Sequence, residues 1–200
     1  MADCKSLYDH CRNGEIEEVR RALERGEDAN KKLGRKKGGT ALHIAARKGH
    51  RELVALLLDQ PKIDPSVTDD AGWTALHLAA HEGHKEVLTS LLNQPGVDVN
   101  VANTTGREAT SIGTTALHIA AARGHLDVLT LLINHPGINL HAGNIDGLEA
   151  LHYAADQGHV DVVALLLSLE GIDLNATSHQ GWTALHSADC PTFITPTFIT

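Results

Sequence analysis

Apolar residues recur along the chain in short blocks at helical spacing, and glycine and proline interrupt them at regular intervals. The block Ala41–Lys48 is rich in alanine and leaves one apolar stripe. After Gly49 a second block carries Leu53, Val54, Leu57 and Leu58, spaced as on one face of an α-helix. Pro61 closes it, as Pro95 and Pro136 close later blocks. Helices of about ten residues are marginal alone in water, so these need neighbours that bury their apolar faces.

The neighbours are copies of the same unit. GGTALHIAARKGHRELVALLLDQP at Gly38–Pro61 returns as GWTALHLAAHEGHKEVLTSLLNQP at Gly72–Pro95 and as GTTALHIAAARGHLDVLTLLINHP at Gly113–Pro136. A fourth copy runs Gly147–Glu170, and a fifth begins at Gly181 and stops near Ala188. A divergent copy, Cys11–Asn30, precedes them. The Leu-His pairs fall at His43, His77, His118, His152 and His186, in steps of 34, 41, 34 and 34 residues. Thr40 is placed as an N-cap, and His43 stands three residues on, where a capping box puts its reciprocating side chain. Gly49 is placed to end the first helix in the left-handed conformation.

Composition narrows the class. Aromatic residues are 3% of the 200-residue chain, so its core is built from Leu, Ile, Val and Ala. A formal charge of −8 argues against general nucleic-acid binding, which rests on Lys and Arg. The first eighteen residues lack the apolar core of a secretory signal, and no stretch approaches the ~20 apolar residues that cross a bilayer. Three cysteines, Cys4, Cys11 and Cys190, form no C-x-x-C pair and point to free thiols in a reducing compartment. Cytoplasm is therefore expected, with the nucleus as the alternative.

The strings TALHIAARKGH, TALHLAAHEGH, TALHIAAARGH and EALHYAADQGH, with VDVN at 97–100 and IDLN at 172–175, resemble the signature of the ankyrin repeat family over about Leu7 to Ala188. Alanine replaces the family's proline, Glu149 replaces threonine, and most units exceed the family's ~33 residues by one. The resemblance implies an all-α ankyrin-repeat solenoid of stacked helix-turn-helix units with β-turn fingers. The repeats divide as 1–35, 36–69, 70–110 (with an extended finger), 111–143, 144–177 and 178–200, in one continuous domain. The implied function is a non-enzymatic scaffold or adaptor that binds a partner protein or peptide on the concave face of fingers and first helices. A regulatory ankyrin region of a larger kinase, channel or ubiquitin-ligase component is the alternative.

In that family, partner contacts lie at variable positions of the fingers and first helices. Here these are Lys36, Lys37, Arg47, Lys48, Asp70, Trp73, His81, Glu82, Arg123, Leu148, Asp156, Gln157 and Trp182. Trp73 and Trp182 share one slot, before the repeat threonine, and are either partner anchors or finger packing. Five basic residues in Lys31–Lys37 could steer a partner with an acidic stretch, or form a plain solvated loop. No cofactor, metal or small-molecule substrate is expected, and short paired helices offer no deep pocket. Asn100 and Asn175, each with a Leu eight residues and an Asp two residues before it, resemble the family's acceptor pattern for asparaginyl hydroxylation.

The stretch HLAAHEGH invites a metal reading, since His77 and His81 lie four apart on a helix and Glu82 follows. Yet nine of the 14 histidines, His77 and His84 among them, are repeat positions, and Gly83 should break the helix between His81 and His84. Structural roles are expected for His77 and His84, and partner contact for His81 and Glu82. The 41-residue step predicts a longer, mobile finger around Thr105–Ile112. Pro191 follows the last first helix, and the tail duplicates PTFIT, so the final repeat is expected to lack its second helix.

Overall fold

The computed structural model describes residues 6–33, 38–104 and 112–189, and the structural statements below concern these. The chain divides into two compact units, Met1–Asp98 and Val99–Thr200. Eleven helices are present among the described residues.

The first unit holds three helix pairs: α1 (Leu7–Asn13) with α2 (Ile16–Glu24), α3 (Ala41–Lys48) with α4 (Arg51–Leu58), and α5 (Ala75–Glu82) with α6 (Lys85–Leu92). The first helices pack in the order α1, α3, α5, and the second helices in the order α2, α4, α6. Six consecutive residues of α3, Ala41–Ala46, are buried. Burial all round is possible because the alanines let neighbouring helices approach closely. Leu53, Val54, Leu57 and Leu58 turn inward from α4, each full burial being worth about 1.5–3 kcal/mol.

The second unit repeats the plan with α7 (Ala116–Arg123) and α8 (Leu126–Ile133), then α9 (Ala150–Asp156) and α10 (Val160–Leu167). It closes with a single first helix, α11 (Ala184–Asp189), which packs on α9.

Each first helix starts as its residues dictate. The Thr74 hydroxyl accepts from the His77 amide at 3.5 Å, and the Thr74 amide donates to His77 Nδ1 at 3.1 Å. The divergent first repeat achieves the same with other residues, Ser6 and Asp9 forming its capping box. Cys11 is buried on α1, and burial pushes its thiol up to about 12, which leaves it an unreactive core residue.

Between repeats the chain forms tight fingers. Asp69 donates its amide to the Trp73 carbonyl at 2.8 Å, while its buried carboxylate accepts from the Ala71 and Trp73 amides at 2.9 Å. Asn103 and Thr114 pair the same way, at 2.9 Å through the Asn103 amide and 2.7 Å through its side chain. The partners stand four residues apart in one finger and eleven in the other. The base of the long finger therefore keeps its ordinary form although seven more residues separate its two sides. Most of the expected long finger, residues 105–111, falls outside the described residues.

Candidate partner-binding surface

Two families of histidine hold the surface in place, and each reaches a different neighbour. The Thr40 amide donates to His43 Nδ1 at 3.1 Å. An amide can only donate, so Nδ1 accepts and Nε2 carries the proton. That Nε2–H donates to the carbonyl of Trp73, thirty residues ahead, at 2.9 Å. His118 reaches the Leu148 carbonyl and His152 the Trp182 carbonyl in the same way, both at 3.1 Å. Burial pulls the His43 ring below its usual range and favours this neutral form.

The second family points backward. His84 Nε2 lies 3.2 Å from the Arg47 carbonyl, and His159 Nε2 lies 3.0 Å from that of Ala122. Each ring covers the glycine that ends the preceding first helix. A methyl carbon on Gly49 would stand 2.7 Å from the His84 ring, and Gly49 itself has φ +70°. That glycine thus serves both its own helix end and the next repeat's histidine. The repeated Gly-His dipeptide shows its residue types, but not this crossing between successive repeats.

On the first unit these links position a mixed polar and aromatic surface. Trp73 is clamped through its backbone by Asp69 and His43, leaving a half-exposed indole. The ring lies edge-on to His81 of α5, with centroids 5.5 Å apart, and 6.0 Å from His77 of the same helix. His81 Nδ1 is 3.1 Å from a Glu82 carboxylate oxygen. Arg47 extends to within 4.0 Å of Asp69, and Lys32 pairs with Asp70 at 3.1 Å. Lys48, Asp70 and Glu82 are exposed, while Arg47 and His81 are half-buried. Lys36 and Lys37 lie outside the described residues.

The second unit departs from expectation at two positions. Leu148 is 7% exposed, because its carbonyl and amide are tied into the finger base and its side chain turns into the core. It is thereby removed from the surface it was expected to line. Asp156 is 6% exposed, with one oxygen bonded to Gln157 and the other without a hydrogen-bond partner. Burial raises its carboxyl above the usual range. Gln157 is exposed, Arg123 and Trp182 are half-buried, and the Trp182 ring centroid lies 6.0 Å from that of His186.

The two asparagines also differ. Asn100 donates its amide to the Gly137 carbonyl and accepts from the Asn139 amide, both at 2.8 Å. Asn175 is exposed in a turn between α10 and the finger that precedes α11.

The three histidines of HLAAHEGH go to separate partners: the Thr74 cap, the Trp73–Glu82 surface and the Arg47 carbonyl. Among the described residues no three His, Cys, Asp or Glu side chains are grouped as a metal ion would require. None of the described helices is long and apolar enough to cross a membrane.

Three matches to the ankyrin repeats family cover residues 7–103, 102–178 and 140–190, and the chain belongs to that family. Comparison with curated proteins gives no match. Ankyrin repeats are in general protein–protein interaction modules, and the family is typically non-catalytic.

Proposed function

We propose that the chain is a scaffold or adaptor that receives a partner protein or peptide on the side of its fingers and first helices, with Trp73 as the anchor on the first unit. The observation that carries this reading is the half-exposed Trp73 indole on a backbone clamped from both sides. A rigid aromatic loses little conformational freedom on binding, and such residues dominate interface energetics. Asp70 in the same finger, Glu82 beside His81 and Arg47 beside Asp69 add charges of both signs, which suits register and selectivity more than raw affinity. On the second unit Trp182, Gln157 and Arg123 occupy the corresponding positions.

Lys48 and Arg47, with Lys36 and Lys37, favour a partner segment that carries acidic residues. The test is affinity capture followed by mass spectrometry, comparing wild type with a Trp73→Ala, Trp182→Ala double variant. The expected result is a specific partner lost by the variant while its circular dichroism is unchanged. Identical capture by the two proteins would overturn the assignment of both tryptophans.

A further inference from the structure

The position four residues after His43, His77, His118 and His152 holds Arg47, His81, Ala122 and Asp156 in turn. Arg47 reaches within 4.0 Å of the Asp69 carboxylate, and His81 stands 3.1 Å from a Glu82 oxygen. Asp156 has no such counter-charge. One of its oxygens accepts from the Gln157 side-chain amide at 2.5 Å, and the other is buried without a hydrogen-bond partner. Burial raises its carboxyl, the Gln157 bond lowers it, and no cation among the described residues acts on it.

A second carboxylate adds to the imbalance. Asp146 lies half-buried in the finger before α9, and its charge acts with that of Asp156 on the Tyr153 hydroxyl. That hydroxyl in turn accepts from the Asn144 side-chain amide of the same finger at 2.9 Å. The end of α9 is thus negative, whereas Arg47 and Lys48 make the corresponding helix end of α3 positive. A buried carboxylate with one neutral donor is costly to keep, and such departures from ordinary packing are expected where a protein binds something.

The geometry also selects the group that would answer it. The two oxygens of one carboxylate match the parallel N–H pair of an arginine guanidinium, which is less strongly hydrated than a lysine ammonium. Gln157 is exposed, and a long exposed side chain changes rotamer within nanoseconds, so it can yield its oxygen to an incoming group.

We propose that Asp156 receives an arginine side chain of the partner, which displaces the Gln157 amide and forks across both carboxylate oxygens. Gln157 is the placeholder in the free protein. The proposal rests on the partner-binding reading of the finger and first-helix side, but its test uses neither tryptophan, so the two can fail separately.

The probe is N-acetyl-arginine amide, with N-acetyl-citrulline amide as its uncharged isostere and N-acetyl-lysine amide as a point charge. Each is titrated into the full isotope-labelled chain at neutral pH and constant ionic strength, and NMR follows the Gln157 side-chain amide. So small a probe should bind in the millimolar range. The expected result is a saturable shift with the arginine amide alone, absent in Asp156→Asn. Asparagine removes the charge and keeps the shape, so the variant retains the fold. No saturable shift with the arginine amide would overturn the proposal. So would an equal shift with the citrulline or lysine amide, or one that persists in Asp156→Asn.

Discussion

The Nε2–H of His43 donates to the carbonyl of Trp73 across 2.9 Å. One side chain thus closes the start of its own helix and holds the backbone of the next finger, on which the candidate anchor stands. His43→Ala removes both functions and leaves the Trp73 carbonyl with the Asp69 amide as its remaining donor. The expected loss is about 2–3 kcal/mol of unfolding free energy, read by urea denaturation. His186 is exposed and, among the described residues, bonded to Thr183 of its own helix start, so His186→Ala should cost under about 1 kcal/mol. Equal losses at the two positions would contradict the account of the link.

Acid should weaken the fold through the same residue. The folded ring holds its proton less tightly than the free side chain, whose ordinary value is 6.5. As pH falls below that value the unfolded chain binds the proton first, so stability present above 6.5 is lost toward the lower, folded value. The slope is at most about 1.4 kcal/mol per pH unit for this one group. Thermal melts of wild type and His43→Ala between pH 7.5 and 5 check it, and the variant should show the shallower dependence.

Asp156 titrates with the opposite sign. Its carboxyl is raised above 3.8 by burial, so the unfolded chain loses its proton first as pH rises, and stability falls from 3.8 up to the folded value. Asp156→Asn should therefore raise the melting temperature at pH 7, with the gain vanishing below 3.8. A variant less stable than wild type at pH 7 would show that the ionised carboxylate is compensated.

Gly49 and Gly96 separate two costs. Both have positive φ, but only a methyl group at Gly49 meets a neighbour, the His84 ring at 2.7 Å, while Gly96 faces open space. Gly96→Ala should cost about 1 kcal/mol for the left-handed backbone. Gly49→Ala should cost at least about 1 kcal/mol more through displacement of the ring. Matching denaturation curves for the two variants would refute the interlock.

The hydroxylation pattern divides in the same structural terms. Both amide atoms of Asn100 are bonded to the next turn, so an enzyme must first break two bonds there. Asn175 is exposed. Peptide mass analysis after incubation with an asparaginyl hydroxylase should show the added oxygen at Asn175 before Asn100, and modification of Asn100 alone would reverse this reading.

Much of this architecture is legible in the residues because each repeat states the same local chemistry. Threonine followed by histidine three positions later encodes the helix start, and glycine its end. The apolar spacing of Leu53, Val54, Leu57 and Leu58 encodes the buried stripe. What lies between repeats is not legible, since local pattern carries no address for a distant partner. The thirty-residue reach of His43 to Trp73 and the His84 ring over Gly49 are contacts between successive units, set by how those units stack. Leu148 and Asp156 stand at positions where the family makes partner contacts, but a position in a repeat does not fix how deeply its side chain is covered. Leu148 instead turns into the core from its finger, and Asp156 is covered at the end of α9.

The most direct measurement of the partner-binding claim is a hydrogen–deuterium exchange footprint of the first unit with and without a captured partner. Added protection is predicted at residues 69–82, spanning the Asp69–Trp73 finger and α5, with α4 and α6 unchanged. Protection on the outer residues of α4 and α6, with none at 69–82, would contradict it.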